Sequence, residues 1–240
     1  MIRGFGARYH PVRSTQFSSV DQAVWQCPAV GFHNGLVATF LIDLSPDDMR
    51  RRLNDALAVY IDAMNYPRGT ERQRAPMWRE HTSRRGWTAV AAVEVPGPQS
   101  VLPDSDSPDE DQLATAPILG VAYGYRGAPD QWWQQQVVTG LRRVVFPRDE
   151  ITRLMSDYFE LTEIHIHPQA QGRGLGEALA RRLLTRRTES RVLLSTPETY
   201  GEANRAWRLY RRLGFTDILR GYHFAGDPRA FAILGRSLPL

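Results

Sequence analysis

The chain has 240 residues, 42% apolar and 10% aromatic, enough to bury one sizeable core, which favours a single elaborated domain over two complete ones. No run approaches the roughly 18 consecutive apolar residues of a spanning helix, and no apolar signal core opens the chain, so the sequence predicts a soluble, cytoplasmic protein without membrane contact. All 30 basic residues are arginine, the net charge is only +4 and the arginines are dispersed, which argues against a nucleic-acid partner; the lone Cys27 excludes an internal disulfide and a multi-cysteine metal site.

Residues 1–35 mix Gly, Pro, Ser and His without a sustained period and read as an N-terminal extension, leaving 36–240 as the folded domain. Leu36 to Leu44 is a β-rich apolar run. Ser45-Pro46-Asp47-Asp48 then supplies an N-cap, a first-turn proline and acids matched to the helix dipole. Met49, Leu53, Leu57, Tyr60 and Met64 follow at three- and four-residue spacing, one apolar stripe that ends before Pro67. A second, more polar helix is predicted over Thr70 to Arg85, with strands over Trp87 to Val95 and Ile118 to Tyr125. Between those strands, 96–117 is rich in Pro, Ser and acids, including Asp104, Asp106, Asp109, Glu110 and Asp111, and reads as a flexible, solvated loop. Pro129 to Val145 reads as a helix whose Trp132 and Trp133 are expected to pack rather than to bind substrate.

A strand predicted over Tyr158 to His167 runs through Pro168 into Gln171-Gly172-Arg173-Gly174-Leu175-Gly176. Leu175, Leu179, Ala180, Leu183 and Leu184 then form a helical face, so the glycines stand where a strand hands over to a helix. Unpaired N–H groups and the dipole make that helix start favourable for an anion, with Gly174 and Gly176 leaving room for a pyrophosphate and Arg173 adding charge from the rim. Two phosphate motifs fail here. A dinucleotide fingerprint beginning at Gly172 would need Gly or Ala where Glu177 stands, and a Walker loop needs a lysine, which the chain lacks.

The remaining pattern, Gln/Arg-x-x-Gly-x-Gly/Ala after a strand, resembles the coenzyme A pyrophosphate loop of the GNAT N-acetyltransferase superfamily. Leu161-Thr-Glu-Ile-His-Ile-His-Pro168 before the loop and Leu209-Tyr210-Arg-Arg-Leu213-Gly214-Phe215 after the next helix extend the resemblance over most of 36–240. It implies an α/β (mixed α+β) GNAT fold: a central mixed, mostly antiparallel, splayed sheet of six to seven strands flanked by about four helices. It further implies acetyl-coenzyme A as cosubstrate, no metal, an amine acceptor, and a monomer or homodimer. Backbone groups of Ile164, His165 and Ile166 would pair with the pantetheine arm, and Gln171, Gly172, Arg173, Gly174, Leu175 and Gly176 would hold the pyrophosphate. The next strand is expected over Val192 to Thr196 and the following helix over Glu202 to Leu213, with Gly214 as C-cap.

Acetyl transfer needs a base for the ammonium proton and an acid for the departing thiolate. Tyr210 matches the family's general-acid tyrosine, four residues before Gly-Phe. Glu160, eleven residues before Gln171, stands where members with protein-lysine substrates often carry a glutamate, and is the first candidate for the base; Glu163 is the second, with His165 and His167 behind it. On an alternating strand Glu160 and Glu163 fall on opposite faces, unless a bulge near the splay breaks that parity. Where the family often has an asparagine seven residues before the tyrosine, this chain has Ala203, with Asn204 one residue later and about 100° further round a helix. Lysine side chains, protein N-termini and small amines all remain open as acceptors. The competing reading is a regulatory module that binds acyl-coenzyme A without turnover.

Overall fold

The computed structural model describes residues 25–26, 37–96, 109–198 and 205–240. Strand β1 (Trp25–Gln26) is a two-residue edge strand on β2 (Val37–Leu44), which pairs antiparallel with β3 (Thr88–Pro96), and β3 with β4 (Ile118–Arg126). Strand β5 (Phe159–Ile166) follows antiparallel on β4, then β6 (Arg191–Pro197), β7 (Thr216–Tyr222) and β8 (Phe231–Ser237) complete one sheet of order β1-β2-β3-β4-β5-β6-β8-β7. The β5–β6 pair alone is parallel, so the sheet is mixed and mostly antiparallel, as the resemblance implies.

At the end of β2, the Ser45 hydroxyl accepts from the Asp48 N–H and the Asp48 carboxylate accepts from the Ser45 N–H, a reciprocal cap that starts α1 (Pro46–Arg51). The single helix expected here is interrupted at Arg52, which leaves helical geometry (φ −99°, ψ 15°) and turns its guanidinium onto the Ala116 carbonyl. Helix α2 (Leu53–Met64) then ends at Asn65 in the left-handed conformation (φ 52°). Helix α3 (Thr70–His81) stops short of Arg85 because Thr82, Ser83 and Arg84 bond three residues back rather than four.

The segment read as a loop over 96–117 contains a helix, α4 (Glu110–Thr115), because the Asp109 carboxylate caps the Gln112 N–H and Leu113 finds a buried seat; residues 97–108 lie outside the described residues. Helices α5 (Trp132–Arg143), α6 (Arg148–Met155), α7 (Leu175–Thr185) and α8 (Arg205–Arg212) complete the set. Four helices of 11 or 12 residues (α2, α3, α5, α7) flank the sheet, supplemented by shorter ones. No described helix is long and apolar enough to cross a membrane.

Strand alternation splits the core between the two faces. Ala89, Ala91, Val93, Val121 and Tyr123 pack with Leu57 and Trp78 under α2 and α3, whereas Val90, Ala92 and Ala122 pack with Leu179, Trp207 and Phe215 under α7 and α8. A third cluster, including Val137, Leu141, Ile151 and Ile233, seats α5 and α6. Trp133 is buried there with its indole N–H on Ser195 Oγ at 3.2 Å, a packing role as expected; Trp132 is exposed.

Candidate active site

Strands β5 and β6 are joined at only two positions, Phe159 with Val192 and Glu160 with Leu193. Beyond Glu160 they part, so among the described residues the β6-facing backbone edge of Leu161 to Ile166 meets no other strand. An extended chain with free donors and acceptors can be matched by a ligand that carries amides of its own. Ile164, His165 and Ile166, which the resemblance implies as backbone contacts, lie on the stretch beyond the parting, where the Ile166 carbonyl accepts from Gln171.

The register between β4 and β5 slips at the same place: Tyr125 faces Glu160 and Gly124 faces Leu161, but Tyr123 faces Glu163, leaving Thr162 as a bulge. The extra residue breaks the period-two parity. Glu160, Glu163 and His165 therefore share the face of Tyr125, Tyr123 and Val121, toward α2 and α3, while Ile164 and Ile166 pack under α7. Gly124 permits the close approach, since a Cβ there would stand 2.1 Å from the Glu160 carbonyl oxygen.

Glu160 is 3% exposed, at the root of the parted strands. Its Oε1 accepts from the Tyr125 hydroxyl at 3.2 Å, and Tyr125 in turn accepts from Arg84 at 2.6 Å; Arg84 is held by Glu80 at 2.9 Å. The buried Oε2 has no hydrogen-bond partner among the described residues. Burial pushes the Glu160 carboxyl up to about 8, opposed by the Tyr125 hydrogen bond and the Arg84 charge and reinforced by Glu163. A carboxyl poised near neutrality, with one oxygen uncommitted, is suited to proton transfer.

Glu163 is paired with His165, Oε2 to Nε2 at 2.5 Å, and the imidazole stands edge-on to Tyr60 of α2, centroids 4.9 Å apart. Tyr210, on α8, is buried against Phe215, and its hydroxyl makes no hydrogen bond to a described residue. Burial, with the Glu163 charge second, raises the Tyr210 phenol well above its ordinary value and keeps it a proton donor at neutral pH. The structure thus assembles Glu160, Glu163 and His165 around the splay, with Glu163 near enough to Tyr210 to act on its ionisation. Tyr125 and Arg84, which tune Glu160, escaped the sequence reading because nothing in their spacing ties them to it. His167 lies off the strand, 3.4 Å from Asp62 of α2.

After a 3-10 turn at Pro168–Ala170, Gly172 (φ 84°) and Gly174 (φ 79°) adopt left-handed backbone, and a Cβ on either would meet nothing within 4 Å. The turn is therefore open at the N-terminus of α7, which an anion needs. Gln171 braces it, donating to the Ile166 carbonyl at 3.1 Å and accepting from Arg205 of α8 at 2.6 Å. Gly176 has a packing reason of its own, a Cβ there lying 3.2 Å from Leu209, and Leu175 is buried. Arg173 turns to Glu94 (3.2 Å) and Thr39 (2.8 Å), latching the turn to β2 and β3. Asn204 lies outside the described residues. Among the described residues, no cluster of three or more His, Cys, Asp or Glu is placed to hold a metal.

A model of the GNAT acetyltransferase domain matches residues 132–217. A curated relative, the GCN5-like protein acetyltransferase of Mycobacterium tuberculosis, is 72% identical over 206 residues, covering 85% of this chain and 100% of that one. Two solved structures share the fold. A GNAT-family protein from Desulfovibrio desulfuricans superposes with a TM-score of 0.50 at 15% identity, covering 84% of this chain and 98% of its own. Arabidopsis thaliana NAA60, solved in complex with acetyl-CoA, gives 0.50 at 14% identity, with 84% and 99% covered.

Proposed function

Because the chain belongs to the GNAT acetyltransferase family, we propose that it transfers the acetyl group of acetyl-coenzyme A to a lysine side chain of a polypeptide. The polypeptide acceptor is supported by the 72% identical relative, named a protein acetyltransferase, and, through the family resemblance, by Glu160 standing where members with protein-lysine substrates often carry a glutamate. The observation that carries the reading is the coincidence of three features on one strand: its partner leaves it after Glu160, the buried Glu160 carboxyl stands at the point of parting, and the open glycine turn lies at its far end.

Acetyl-coenzyme A fits these residues. Gly172, Gly174 and the first N–H groups of α7 would hold its pyrophosphate, Ile164 to Ile166 would pair with its pantetheine amides, and bound there it supplies an acetyl group activated as a thioester. The chain's own residues handle the protons. Glu160 is recessed, so it takes the ammonium proton through a water, leaving a neutral amine to attack; burial has already matched its affinity for that proton to neutral pH. Tyr210 gives its proton to the departing sulfur, and Glu163, paired with His165, supplies the negative charge that helps to keep that phenol protonated. Calorimetric titration with acetyl-coenzyme A, paired with a thiol-release assay on a lysine peptide, tests the reading. Binding and amine-dependent release are expected; no binding at millimolar ligand refutes it.

A further inference from the structure

On the α2–α3 side a surface cavity of about 370 Å³ lies next to Tyr66, whose ring contacts Tyr60 of α2. One lip is Tyr66, Thr70 and Arg74; the other is the β7–β8 loop from Gly226 to Arg229. The two lips touch where Arg229 donates to the Tyr66 hydroxyl at 3.0 Å. Arg229 is otherwise committed, its fork closed on the Asp227 carboxylate at 2.9 and 2.7 Å, so these two charges cancel. Arg74 is different. It is half-buried, it makes no hydrogen bond or ion pair with any described residue, Asp227 attracts it only through space, and its guanidinium lies over the Tyr60 ring at 5.9 Å.

Tyr60 connects that cation to the reaction centre. Its ring is 5.5 Å from Tyr66 at the lip and 4.9 Å from His165, the partner of Glu163. Guanidinium and imidazole are therefore within about 11 Å of each other. A half-buried arginine fork with no hydrogen-bonded anion among the described residues has donors to spare, and their best complement is a carboxylate.

We propose that this cavity receives an acidic residue of the acceptor polypeptide, adjacent to the lysine that is acetylated, and that Arg74 pairs with its carboxylate. The inference rests on the acetyltransferase reading above and names the acceptor's chemistry. The dimensions agree: a lysine amine extends roughly 6 Å from its Cα and the next Cα is about 3.8 Å along, so amine and neighbouring carboxylate can span from the splay to the lip. In a free amino acid the α-amine and carboxylate are only about 3 Å apart, too close to reach both.

The test compares N-terminally blocked peptides identical except for the residues beside one lysine, aspartate, glutamine or arginine, with a free amino acid as a further acceptor. Thiol release gives kcat/KM for the native protein, Arg74→Gln and Arg74→Glu, and acetyl-coenzyme A titration reports that each variant is folded. The native protein should prefer the aspartate peptide over the glutamine one about threefold to tenfold. Arg74→Gln should abolish the difference, and Arg74→Glu should favour the arginine peptide. Turnover with no preference in the native protein, a preference unchanged in both variants, or better use of the free amino acid overturns the inference alone. Failure of the native protein to bind acetyl-coenzyme A overturns the acetyltransferase reading beneath it.

Discussion

Replacing Glu160 with glutamine tests the electrostatics of the site through stability as well as rate. The side chain is 3% exposed, and burial raises its carboxyl from 4.5 to about 8, so ionising it in the folded state costs roughly 5 kcal/mol more than in the unfolded chain. The folded-state value lies above the unfolded one. Folded protein therefore holds the proton through the window in which unfolded chains have lost it, and stability falls as pH rises from 4.5 toward 8. Between about pH 6.5 and about pH 8.5 the group should remove about 2 kcal/mol, equivalent to roughly 4–8 °C in Tm for a chain of this size. Glutamine cannot ionise. His81, whose burial lowers it to about 4, acts in the opposite sense at lower pH but is common to both proteins, so the difference between native protein and Glu160→Gln isolates Glu160. Urea unfolding across that range should show the native protein losing stability relative to the variant as pH rises. Parallel profiles would refute the claim that Glu160 is buried with a raised proton affinity. The native kcat/KM should also rise with pH toward 8, and the variant should lose about a hundredfold or more of the rate together with that dependence.

Tyr210→Phe should lower kcat about a hundredfold while acetyl-coenzyme A affinity stays within about twofold, measured by steady-state kinetics and calorimetry, because the buried hydroxyl bonds to no described residue and its proposed role is confined to the leaving sulfur. Gly124→Ala should destabilise by about 3 kcal/mol in urea unfolding, since the new methyl would stand 2.1 Å from the Glu160 carbonyl oxygen, a backbone atom that cannot yield without moving the bulge. Gly174→Ala should cost about 1–2 kcal/mol through its positive φ alone and weaken acetyl-coenzyme A in the same titration.

The helices that begin with clear chemistry were legible in the sequence. Ser45 to Asp48 announced α1 through a cap that the structure forms, and the leucine face after Gly176 announced α7. The glycine turn between β5 and α7 was legible because φ near +80° selects for glycine. Other features depend on partners distant in the chain. The bulge at Thr162 arises from pairing with Gly124, about 40 residues earlier, and it alone brings Glu160 and Glu163 onto one face. The uncommitted Oε2 of Glu160 and the Tyr125–Arg84 network follow from that register. The break at Arg52, the α4 helix inside an acidic segment, and α6, β7 and β8 likewise depend on tertiary seats that local periodicity does not reveal.

The most direct measurement exploits the absence of lysine from this chain, which makes any acetyl-lysine formed a property of the acceptor. A lysine peptide is incubated with the native protein and acetyl-coenzyme A, and free thiol and peptide mass are followed together. The account predicts one acetyl group on the lysine amine for each thiol released, at a rate that collapses in Glu160→Gln. Acetyl-coenzyme A binding without acetylation of any lysine peptide, or thiol release by hydrolysis alone, would contradict it.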